Sequence, residues 1–318
     1  MQTMPYQFAL HWDAVAGRGA RTIMPQLCRE RGWSRLWVLL DPRVAAVPHV
    51  EAMLSEWESQ DLEVFRSSGP GREPTYDDLE RLRSGGPAYP VDVVVGVGGG
   101  STIDTAKGLA VLATNVGPAL GYRGFERFTK QPLPNVAMPT IAGSGSEVTP
   151  NASFVDVGTS KKLGINGAGV KPTLAILDPE LTCSASVELT LASGFDALVH
   201  AVEAYVSRKA TPFARSLAVT AVTRVSRALL DIKRESETNL DAREDLLMGA
   251  AYAAFAMGAS GTGAAAALSY PAGTRLGLPH GLAGAAFLPS VVALNVSRGV
   301  NTYAELTACL PADPGLGL

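Results

Sequence analysis

The chain has 318 residues, 47% of them apolar and only 18% charged, a balance that excludes intrinsic disorder as the main state. A formal net charge of −3 and a pI near 5.9 exclude a protein that works by coating nucleic-acid phosphates. Three scattered cysteines, Cys28, Cys183 and Cys309, make no disulfide framework and point to a reducing, cytoplasmic setting. The first residues lack a basic start running into an apolar stretch, so they do not read as a signal peptide.

In chain order, Arg35–Leu40 reads as a buried strand stopped by Asp41-Pro42, and Leu62–Arg66 as a second. Val91–Val97 is the clearest strand; shorter ones begin at Ala137 and span Thr173–Leu177. Helical spacing covers Val50–Gln60, Tyr76–Ser84 and Thr102–Thr114 between them. This alternation predicts an α/β N-terminal domain, residues 1–182, with a mostly parallel sheet covered on both faces. Residues 183–318 read as an all-helical domain, through Val187–Val206, Pro212–Arg234, Asn239–Met257 and, less regularly, Leu282–Val296. The run Leu246–Thr274 carries no charge, but it is mostly Ala, Gly and Ser and contains Pro271. It reads as a tightly packed buried helix with a following loop, not as a membrane span.

The sharpest local signal is Val95-Gly96-Val97-Gly98-Gly99-Gly100-Ser101, a buried strand entering glycines and then a helix. Glycines let backbone N–H groups close on an anion, and the helix N-terminus adds partial positive charge. A pyrophosphate suits such a site; a tight turn without a ligand is the alternative. Asp41, ending the first strand, is suited to accept hydrogen bonds from an adenosine ribose and to repel a 2′-phosphate, favouring NAD over NADP. A second loop, from Pro139 through Gly143, Ser144, Gly145 and Ser146 to Asn151, offers hydroxyls and amides, with Lys161 and Lys162 following.

Asp196 and His200 stand four apart on a predicted helix, share a face, and can hold one divalent cation or simply pair with each other. Pro279-His280-Gly281 supplies another imidazole; the other two histidines, His11 and His49, lie in the N-terminal half.

Together GGGSTIDTAK (98–107), PTIAGSGSEVT (139–149), DPELT (178–182), GFDALVHAVEAY (194–205) and LPHG (278–281) resemble the iron-containing (group III) alcohol dehydrogenases. The similarity runs in the family's order over most of residues 8–298. It implies a dinucleotide-binding α/β domain, a helical metal and substrate domain, and an active site in the cleft between them. The activity implied is reversible hydride transfer between NAD(P)H and a small aldehyde or ketone, giving the alcohol. A homodimer with no nucleic-acid or membrane partner is implied as well.

By position, the resemblance gives Gly99, Gly100, Ser101 and Asp104 the pyrophosphate and nicotinamide-side contacts. Thr140, Ser144, Thr149 and Lys162 would complete the cofactor groove, with Asp41 at the ribose and Asn151 facing nicotinamide and substrate. Asp196, His200 and His280 match three of four ligands for Fe²⁺ or Zn²⁺. The fourth, usually histidine, is Ala266 here, so the alternative to a metal held by an altered shell is a metal-independent or catalytically impaired nucleotide-binding relative; without a metal, Tyr270 would be the proton donor to the substrate oxygen. The family also usually continues further, so the helical domain is expected to be incomplete at its C-terminal end.

Overall fold

A computed structural model describes residue 6, residues 12–235 and residues 239–311. It divides into two compact units. One comprises Asp13–Ile141 and Ser146–Ala185; the other comprises Ala142–Gly145 and the described residues of Met1–Trp12 and Ser186–Leu318.

The first unit is built on strands β1 (Ala14–Ala16), β2 (Arg35–Leu40), β3 (Glu63–Ser68), β4 (Val93–Gly98), β5 (Gly124–Phe125), β6 (Asn135–Pro139), β7 (Asn151–Asp156), β8 (Lys161–Asn166) and β9 (Leu174–Leu177). Helices α1 (Met24–Arg31), α2 (Pro48–Ser59), α3 (Tyr76–Ser84) and α4 (Gly100–Thr114) are interleaved with them. Six strands form one parallel sheet in the order β1-β9-β6-β4-β2-β3; β5, β8 and β7 form a small second sheet.

The pleat of β2 explains why its whole sequence is apolar after Arg35. Leu36, Val38 and Leu40 enter one core with Trp57 and Met24, whereas Trp37 and Leu39 enter the opposite core with Leu79 and Leu109. Each such side chain contributes about 1.5–3 kcal/mol by leaving water. Strand β4 does the same with Val93, Val95 and Val97 on one face and Val94 on the other. The face shared by Val94 then continues as Gly96 and Gly98, and α4 presses onto it. A Cβ on Gly96 would stand 2.9 Å from the Ala106 Cβ, and one on Gly98 would stand 2.7 Å from that of Thr102. Part of the glycine run is therefore required by helix-on-strand packing.

Three features depart from the sequence reading. Asp41 ends the second strand, because the three-residue β1 precedes it. The antiparallel pair β7–β8 was not expected; its polar Lys161-Lys162 and its Gly164 hide the alternation. The charge-free run also divides into two helices rather than one helix and a loop.

The second unit contains α5 (Val187–Val206), α6 (Pro212–Glu235), α7 (Leu240–Ser260), α8 (Ala264–Leu276), α9 (His280–Ser297) and α10 (Tyr303–Thr307). Helix α7 packs against both α5 and α6 through small residues: Ala250, Ala251, Ala253 and Ala254 are buried, and a Cβ on Gly249 would strike Val225. That packing explains the lack of charge from Leu246 onward. Gly261, at φ +78°, ends α7, and α8 starts three residues later. Among the described residues one helix, α9, is long and apolar enough to cross a membrane by length and composition, with a mean hydropathy of 1.3.

Candidate active site

The chain leaves β2 for β3 on one side and returns to β4 on the other, so the sheet order reverses between β2 and β4. Ligands of open α/β sheets bind at such a reversal, outside the carboxyl ends of the strands. Asp41 follows β2 there, and a Cβ on Gly98 at the end of β4 would lie 2.8 Å from its Cβ. Gly99 caps α4 in an extended conformation without a side-chain cap, which leaves the first N–H groups of a fifteen-residue helix available to an anion. A Cβ on Gly99 would meet only Ile141 at 3.4 Å, so the space over the loop is open.

Gly100 and Ser101 form the first turn of α4. Thr140 is buried beside them, its N–H donating to Gly98 O at 3.0 Å. Asp41 is also nearly buried, at 6% exposure, and its carboxylate accepts from Arg43 N at 2.9 Å and from Thr102 Oγ1 at 3.4 Å. Lys162 on β8 pairs with Glu73 at 2.6 Å. Ser144 is grouped with the helical unit.

Asp104 turns both oxygens to the protein. One accepts a short hydrogen bond from Ser146 Oγ, and the other accepts from Ser153 N at 2.8 Å. Lys107, one turn on, is fully buried and donates to Ser146 Oγ at 2.9 Å, Thr149 O at 3.0 Å and Asn151 O at 2.7 Å. The loop that carries Thr149 and Asn151 is therefore pinned to the same helix that begins at the glycines.

In the helical unit, α5 presents Asp196, His200 and Glu203 on one face, at positions i, i+4 and i+7. His200 Nε2 lies 3.6 Å and His280 Nε2 3.8 Å from Asp196 Oδ1, and one ligand atom from each of these three residues falls within 4.8 Å of the others. The N-terminus of α9 reaches α5 because residue 281 is glycine: a Cβ there would stand 2.9 Å from the Asp196 Cβ and 2.1 Å from Ala192 O. Two imidazoles and a carboxylate, largely buried, suit a divalent cation, and the buried His200 Nδ1 has no hydrogen-bond partner.

Glu203 was missed by sequence reasoning. Helix α8 has no side-chain cap of its own, and the Glu203 carboxylate accepts from Gly263 N at 2.8 Å, Ala265 N at 2.6 Å and Ala266 N at 3.2 Å. This brings Ala266, 5% exposed and packed with Val199 and Val291, beside the ligand face of α5. Ser269, also missed, donates to Ala266 O at 2.6 Å and lies 3.0 Å from His280 Nδ1. Tyr270 stands edge-on to the His280 ring at 4.8 Å and is 42% exposed. The i+7 spacing from Asp196 was the available signal for Glu203; nothing local marked Ser269.

The profile of the iron-containing alcohol dehydrogenases matches residues 13–179, and the C-terminal profile of the same family matches residues 190–316. The chain belongs to the iron-containing alcohol dehydrogenases. It is 34% identical over 279 residues to long-chain-alcohol dehydrogenase 1 of Geobacillus thermodenitrificans, a match covering 87% of this chain and 70% of that one. The structure resembles that of a 1,3-propanediol oxidoreductase with a TM-score of 0.91 and 28% identity, covering 98% of this chain and 81% of the other. A sulfoacetaldehyde reductase from Bifidobacterium kashiwanohense, solved in complex with NAD+, gives a TM-score of 0.85 at 25% identity, covering 96% of this chain and 84% of the other. As a member of this family the chain is an oxidoreductase that interconverts an alcohol and its aldehyde or ketone.

Proposed function

We propose that this alcohol dehydrogenase takes NAD at the glycine loop and a divalent metal, Fe²⁺ or Zn²⁺, at Asp196, His200 and His280, and acts on a small alcohol or aldehyde. The observation that carries the reading is the convergence of two imidazoles and one carboxylate within 4.8 Å in the helical unit of this family's fold. A bound metal supplies Lewis-acid polarisation of a carbonyl oxygen, and the nicotinamide supplies or accepts the hydride.

The chain's own residues do the rest. The uncapped start of α4, with Gly99, Gly100 and Ser101, holds the pyrophosphate, and Asp41 meets the adenosine ribose. Thr140, Ser144, Thr149 and Lys162 line the cofactor, Asp104 positions the segment of residues 146–153, and Asn151 faces nicotinamide and substrate. Tyr270 holds the proton exchanged with the substrate oxygen. Three cysteines outside any disulfide fit a cytoplasmic enzyme, and a homodimer paired through the α/β unit completes the reading.

The test is to load the purified protein with Fe²⁺ or Zn²⁺, measure bound metal, and follow NADH oxidation with a panel of small aldehydes. Stoichiometric metal with turnover is the expected result; no metal, no NADH binding and no turnover would sink the reading. Two variants sharpen it. Ala266→His restores a fourth ligand, and metal affinity measured by calorimetry should rise by at least roughly tenfold, the scale on which even an outer partner of a ligand acts. Asp41→Gly removes a charge beside the ribose, and the ratio of NADPH to NADH affinity should rise by roughly tenfold. An unmodified protein that already prefers NADPH would remove that role from Asp41.

A further inference from the structure

Lys107 donates three hydrogen bonds, to Ser146 Oγ, Thr149 O and Asn151 O. A neutral amine has only two donors, so the three bonds are made together by the ammonium form, although burial pushes this amine's pKa down. Its Nζ lies 3.6 Å from Asp104 Oδ1, and Asp104 in turn accepts from Ser146 Oγ and Ser153 N. One buried cation thus meets one largely buried anion, and the local charge is balanced.

Glu147 upsets that balance whenever it ionises. It is 2% exposed, its Oε1 is buried without a hydrogen-bond partner, and Lys107 and Asp104, both on α4, are the charged groups acting on it. A carboxylate held in that way leaves one oxygen uncompensated, which is costly in a low-dielectric interior. Nothing in the hydride-transfer chemistry uses Glu147.

We propose that Lys107 is a positioning residue for the cofactor, fixing the carbonyls of Thr149 and Asn151, and that it does so only while Glu147 carries a proton. When Glu147 loses that proton, a second carboxylate competes for the single ammonium. Lys107 is drawn from the two carbonyls, and the segment that faces the nicotinamide loosens. The added negative charge also lies in the unit that takes the anionic cofactor, so both effects weaken binding in the same direction. Burial pushes the Glu147 carboxyl up to about 7, which sets the pH range in which the change falls.

The inference rests on the cofactor groove proposed above, and the experiment separates the two. NADH affinity would be measured by fluorescence from pH 6 to 9 for the wild type, Glu147→Gln and Lys107→Met. The wild type should lose roughly tenfold in affinity between pH 6 and 9, and Glu147→Gln, which cannot ionise, should stay constant over that range. Lys107→Met should bind weakly at every pH. Wild-type NADH binding that does not change with pH, or a Glu147→Gln variant that keeps the fall, overturns the proposal while leaving the groove intact; no NADH binding by the wild type at any pH overturns both. Thermal melting of Glu147→Gln keeps the test independent of activity. A carboxyl protonated in the folded chain at pH values where the unfolded chain, near 4.5, has released its proton makes wild-type stability fall from about pH 4.5 to about 7. That fall should be missing from the Glu147→Gln variant, and its persistence there would show that another group carries the titration.

Discussion

Asp196→Ala is expected to strip the protein of its metal and to lower NADH-linked aldehyde reduction by roughly 10³-fold, the scale of a Lewis acid's several kcal/mol. The argument is one of ligand count. Among the described residues three donors converge, two of them imidazoles, and the carboxylate of Asp196 lies within 4 Å of both. Removing it leaves a pair that lacks the only negative charge of the set. Metal content by atomic emission, read beside turnover, checks the result. NADH affinity, assigned above to the glycine loop, should change little. Retention of stoichiometric metal in Asp196→Ala would show that the metal is held elsewhere.

Glu203→Ala should destabilise the fold by about 3–5 kcal/mol, since three backbone donors at the start of α8 lose a charged acceptor in a buried setting. The carboxylate also meets the positive end of the helix dipole, a further favourable contribution that alanine removes. Glu203→Gln keeps one acceptor oxygen and should cost about half as much. Chemical denaturation of the two variants measures both values. If Glu203→Ala melted like the wild type, the start of α8 would have to be capped from elsewhere. The loss should reach the metal as well, because α8 carries Ser269, which lies against His280.

These expectations differ in how far the amino-acid sequence alone leads to them. Strand β2 was legible residue for residue, because a strand buried on both faces leaves no polar position to blur its ends. The juxtaposition of Asp196 and His200 was legible because helical periodicity puts residues four apart on one face. His280 required the family resemblance, since nothing near it in sequence tells where α9 will land. Helix α8 was not legible because the group that caps it, Glu203, lies sixty residues before Gly263. Alanine-rich segments with glycine and proline look like loops until such a distant partner is known. Lys107 closes the GGGSTIDTAK motif, but its part in holding Thr149 and Asn151 depends on the turn of the intervening chain, which has no periodic signature. Lys162 was placed in the groove by position alone, and nothing local announced its partner, Glu73.

The close approach of Gly281 to Asp196 has a practical meaning for anyone transplanting this centre into another helical scaffold. Copying the two histidines and the aspartate would carry over the donor atoms without the spacing that brings them together. The absent methyl group at residue 281 is as much a part of the recipe as the imidazole beside it, and a search for similar centres by ligand identity alone would overlook it.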